Sequence, residues 1–75
     1  MEEEFIRLFK ETLENNDLEI TPDTIFRSLE NWDSLTFLSV LAMIDEEYDV
    51  VIEGNDFQKL VTIQDLINEI KKRKE

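Results

Sequence analysis

Asp33-Ser34-Leu35, directly after Trp32 and ahead of a long apolar helical pattern, is the group of residues whose types and spacing point to chemistry. An Asp in front of such a pattern is an N-cap, its carboxylate accepting a bond from a backbone N–H that the helix leaves unpaired. Ser34 then falls at the helix start, where a hydroxyl is exposed. The chain has no His and no Cys to activate that hydroxyl, so an enzyme would have to work with carboxylates or Lys on a domain too small for a deep pocket. On these residues alone Ser34 is an exposed hydroxyl at a helix start, and the chain is not expected to be an enzyme.

The helix that positions Ser34 is expected to run to about Tyr48. At 100° per residue it carries two apolar stripes. Phe37, Val40, Leu41, Ile44 and Tyr48 cluster on one side and are expected to be core. Leu35, Leu38 and Ala42 cluster opposite, interleaved with Thr36, Ser39 and Glu46; the long connection could cover this stripe and make it core, but the interleaving is the pattern expected of a docking surface with an apolar centre and a polar rim.

The remaining elements are read from period and punctuation. A first helix is expected from about Glu3 to Glu14, with Phe5, Ile6, Leu8, Phe9 and Leu13 on one stripe and Asn15-Asn16 as its stop. A long connection follows, with Leu18, Ile20, Ile25, Phe26, Leu29 and Trp32 as anchors across the bundle and Thr21-Pro22-Asp23 as the start of a short helical turn. Val50-Val51-Ile52 favours extended backbone, and Gly54-Asn55 turns the chain into a short helix from about Asp56 to Leu60. The last helix opens on a capping box of Thr62 and Asp65 and buries Ile63, Leu66, Ile67 and Ile70. Lys71 to Lys74 sit at its negative end as a solvated terminus.

Composition agrees with this layout. Seventy-five residues support one core, so 1–75 is expected to be a single domain, and one Gly with one Pro leaves little for the turns of an all-β fold. The expected class is all-α, a small bundle of three longer helices and one short one. Net charge is -11, and the last five residues hold four of the eight basic groups, so the body is more acidic still. Such a surface repels nucleic acid and anionic lipid and attracts basic protein surfaces. No stretch is long and apolar enough to span a bilayer, and a cytoplasmic monomer is expected. Asp45 to Asp56 is rich in oxygen ligands but does not fit a calcium loop, so no metal is expected.

Taken together, the helix layout, the acidic body and the motifs resemble the acyl carrier protein family over essentially the whole chain. The family's Asp-Ser-Leu maps onto Asp33, Ser34 and Leu35. Asp45-Glu46-Glu47-Tyr48-Asp49 is similar to the acidic end of the family's second helix, and Val61-Thr62-Ile63-Gln64-Asp65-Leu66 to the start of its last. The resemblance implies that a phosphopantetheinyl transferase joins 4′-phosphopantetheine from coenzyme A to the Ser34 hydroxyl. It further implies that the arm's thiol carries acyl groups as thioesters to partner enzymes of fatty acid, polyketide or specialised biosynthesis. A helix start tolerates a phosphodiester, because its free N–H groups and dipole favour negative charge.

Partner enzymes with basic docking surfaces are expected to meet Leu35, Leu38, Ala42, Asp45 and Glu46. The chain departs from the commonest fatty-acid-synthesis pattern at Thr36 and Ser39, where that pattern has acidic residues. Trp32 before the motif is similar to peptidyl and D-alanyl carriers, so an aminoacyl or peptidyl carrier stays open. So does an acidic helical interaction module with an unmodified Ser34.

Overall fold

In a computed structural model, which describes residues 1–15, 17–30 and 32–74, the chain is an all-α bundle. Its helices are α1 (Glu2–Thr12), α2 (Ser34–Tyr48), α3 (Gly54–Phe57) and α4 (Ile63–Lys74), with a 3-10 turn at Phe26–Ser28 in the long connection. α1 packs against α2 and α4. Phe5 and Phe9 from α1, Val40 and Ile44 from α2, Phe57 from α3 and all four expected apolar residues of α4 fill the core.

α1 ends earlier than its apolar pattern suggests. Glu14 turns left-handed at φ 57°, its N–H bonds the Glu11 carbonyl, and the Asn15 N–H reaches back to Lys10. These two bonds satisfy carbonyls the helix end would leave unpaired. A Glu therefore sits where Gly or Asn is usual, and Asn16 of the expected stop signal lies outside the described residues.

In the long connection, Thr21-Pro22-Asp23 makes a turn rather than a helix start: Thr24 N–H bonds the Thr21 carbonyl at 3.0 Å. The backbone there is committed elsewhere. The Pro22 and Thr24 carbonyls accept from the N–H groups of Gln64 and Ile63, and Ile25 pairs with Thr62, so this segment caps the start of α4. Ile20 and Phe26 anchor the connection in the core, whereas the side chain of Ile25, expected as an anchor, is 49% exposed; its backbone does the pinning.

Among the described residues there is no strand, but Val50-Val51-Ile52 alternates as extended backbone does, with Val50 and Ile52 buried and Val51 exposed. α3 begins at Gly54, two residues before the expected start, and its helix gives way to tighter turns at Lys59 and Leu60, which bond the Asp56 and Phe57 carbonyls. The capping box of α4 forms as expected: Asp65 N–H donates to Thr62 Oγ1 at 3.2 Å, and Thr62 N–H to Asp65 Oδ2 at 3.1 Å. Lys71 to Lys74 are exposed as expected, but two of them are also tied to the bundle. Arg73 donates to the Val51 carbonyl, Asp56 and Glu69, and Lys74 to the Tyr48 carbonyl, because the α2–α3 link passes beside it with carbonyls that need donors.

Candidate functional site

Ser34 is the first residue of α2 and is exposed. Two things fix its position. On the polar side, Asp33 is the N-cap: Thr36 donates to its Oδ1 from the backbone N–H at 2.8 Å and from the hydroxyl at 2.9 Å. Those bonds, the backbone one foremost, hold the Asp33 carboxyl below the usual aspartate range.

On the apolar side, Trp32 is held by rings. Its indole lies nearly parallel to Phe9 and Phe57, with centroids 6.3 and 6.4 Å away, and meets Phe26 edge-on at 5.1 Å. The residue two places before Ser34 is thus fixed by the core, and the next by its own cap. The expectation that Trp32 anchors the long connection agrees with these contacts.

Ser34 opens onto a cleft of about 360 Å³ whose walls are Arg27, Trp32, Asp33, Phe37, Phe57 and Gln58. The structure brings Asp33 and Ser34 together here with residues the motif did not include. Arg27 is one that sequence reasoning missed, although a signal existed: it is the only basic residue between Lys10 and Lys59.

Leu35 points away from this cleft into solvent, 72% exposed, and Leu38 is 58% exposed. Ala42, Asp45 and Glu46 are exposed as well, and the helical period places all five on one face. The long connection does not cover them. On the opposite side Val40, Ile44 and Tyr48 are buried, and Phe37 and Leu41 are partly so. Met43, absent from the expected core stripe, is buried too. Tyr48 donates its hydroxyl to Glu4 at 3.0 Å, which ties the end of α2 to the start of α1. Burial first, and the Glu4 carboxylate next, push this phenol above its ordinary pKa.

A phosphodiester on Ser34 fits these surroundings, since it would lie at the positive end of a fifteen-residue helix, open to solvent, with a guanidinium in the lining of the same cleft. No helix among the described residues is long and apolar enough to cross a membrane.

Comparison with known proteins agrees. The family described as "Phosphopantetheine attachment site" matches residues 3–70. The chain is similar to the acyl carrier proteins of two Borreliella burgdorferi strains and of Borrelia garinii subsp. bavariensis. Each is 36% identical over 67 residues, covering 89% of this chain and 84% of the relative. No solved structure matches. An Asp-capped serine held at the mouth of a cleft, within a family match spanning almost the whole bundle, makes this chain a member of the acyl carrier protein family, whose prosthetic group is covalent 4′-phosphopantetheine.

Proposed function

We propose that Ser34 is the attachment point of the phosphopantetheine arm and that the exposed face of α2 is where partner enzymes dock. The arm, once attached, supplies a terminal thiol that holds an acyl group as a thioester. The observation that carries the reading is the placement of Ser34, exposed at the first position of α2, with Asp33 and Trp32 fixing the backbone on its N-terminal side. In loading, the Ser34 oxygen forms the bond to phosphorus while the nucleotide half of coenzyme A leaves. With no His or Cys in the chain, the hydroxyl proton must pass to a base of the transferase.

Leu35, Leu38 and Ala42 supply an apolar centre for docking, with Asp45 and Glu46 as its acidic rim, suited to enzymes with basic surfaces around their entrances. Thr36 and Ser39 leave the first half of that face without further carboxylates. That favours a carrier dedicated to a specialised pathway, with acyl and aminoacyl cargo both compatible.

The test is intact-mass measurement after incubation with coenzyme A and a broad-specificity phosphopantetheinyl transferase, followed by peptide mapping. One arm on Ser34, and none on a folded Ser34→Ala protein, is the expected result. Modification elsewhere, or none with several transferases, would favour an unmodified interaction module instead. Mass measurement from the native host would also identify the cargo.

A further inference from the structure

Arg27 is the one cation on the walls of the cleft that opens at Ser34. Its guanidinium is already oriented. One Nη donates to the Leu60 carbonyl, the other to the Phe57 carbonyl at 2.7 Å, and its carbon lies 4.9 Å from the Phe26 ring centroid and 5.6 Å from that of Phe57. Both oxygens are neutral acceptors. Among the described residues no carboxylate pairs with Arg27, in contrast to Arg7 and Arg73. A guanidinium has five donors, so this one is fixed in place by two bonds with donors and its full charge to spare, in a chain of net charge -11.

The same cleft holds Asp33, whose carboxylate lies next to the proposed attachment point. A phosphodiester on Ser34 would bring a second negative charge beside the first. The helix N-terminus offsets part of that repulsion, and a fixed cation in the lining of the same cleft offsets more. Beyond the phosphate, the cleft offers the rings of Trp32, Phe37 and Phe57, with Phe37 and Phe57 meeting edge-on at 5.0 Å.

We infer that Arg27 is the counter-charge that docks the arm's phosphodiester in this cleft and lays the apolar start of the arm against those rings, parking it on the carrier between partners. The inference rests on Ser34 as the attachment point and adds to it a positioning residue that the attachment motif does not contain.

Phosphorus NMR relaxation and Trp32 emission on the loaded protein test it, after mass mapping has shown one arm on Ser34. In the wild type the phosphodiester should tumble with the protein, and loading should change the emission of Trp32, the only Trp. Arg27→Gln should free the phosphorus, with several-fold greater local mobility, and abolish the emission change; Arg27→Lys, which keeps the charge but not the fork, should restore part of both. Should Arg27→Gln fail to fold, wild-type holo-protein in rising sodium chloride decides, because the ion pair should release the arm as salt screens it. An arm that does not load on Ser34 overturns both proposals. An arm that loads there but is mobile in the wild type at low salt, or equally ordered without Arg27, overturns this one alone.

Discussion

Along α2, Val40 and Ile44 are fully enclosed while Leu38, between them and the helix start, is more than half in water. The two faces are built from similar aliphatic residues, and burying a Leu would contribute about 1.5–3 kcal/mol. Leaving Leu35 and Leu38 uncovered therefore forgoes stability that a domain of this size has little of. The covered face is explained by the fold. The uncovered face, beginning beside Ser34 and ending at Asp45 and Glu46, has no explanation within the bundle and fits a surface kept for partners.

Truncating the covered face should have the largest effect on stability. Ile44→Ala should destabilise the domain by about 2–5 kcal/mol in denaturant melts, through lost burial and a residual cavity. A loss near zero would mean that the face is not close-packed. Tyr48→Phe should cost less, about 1 kcal/mol, because it removes one hydrogen bond to Glu4 without opening a cavity. The folded-state pKa of Tyr48 is raised, so the neutral phenol is favoured by folding. Its contribution is intact below the ordinary tyrosine value and is lost as the pH rises from there through the raised folded value. Melts above about pH 10 should show a loss of stability that Tyr48→Phe lacks.

At the other end of α2 the sign reverses. The folded pKa of Asp33 is depressed by the Thr36 bonds, so its capping contribution is present above the ordinary aspartate range and is lost as the pH falls through the lower folded value. Asp33→Asn keeps an N-cap acceptor without a titrating group and should show a shallower acid loss than the wild type in melts followed by circular dichroism. Equal acid slopes would remove Asp33 from the account.

The smallest stability effect should come from Leu38→Ala, less than about 0.5 kcal/mol, as expected of an exposed site. The same change should slow transfer by partner enzymes, since a central apolar contact is where truncation is felt in an interface. Should Leu38→Ala melt as badly as Ile44→Ala, the two faces would not differ as described.

Local signals were readable where one short segment settles its own conformation. Asp33 as N-cap of a helix from Ser34 to Tyr48, the Thr62–Asp65 capping box, and the buried row Ile63, Leu66, Ile67 and Ile70 all follow from residues within two turns of each other. Signals failed where a distant segment competed. Thr21-Pro22-Asp23 looked like a helix start, but its neighbouring carbonyls are spent capping α4. Ile25 looked like an anchor by hydropathy alone, yet it is held through its backbone. Met43 fell outside the apolar stripe on the wheel and is covered all the same, because burial depends on the surrounding elements and not on the helical period.

Composition and neighbours three or four residues apart are enough to set the helical class, the acidic surface, the serine at a capped helix start and the two apolar stripes. Only the tertiary structure decided which stripe is covered, that Trp32 is locked among Phe9, Phe26 and Phe57, and that Arg27 shares a cleft with Ser34. Those are meetings between segments far apart in the chain, such as Arg27 with the Phe57 carbonyl and Tyr48 with Glu4. Hydrophobic burial is non-directional, so the periodicity of a chain says which faces can be buried, while only the packing of all its elements at once says against what.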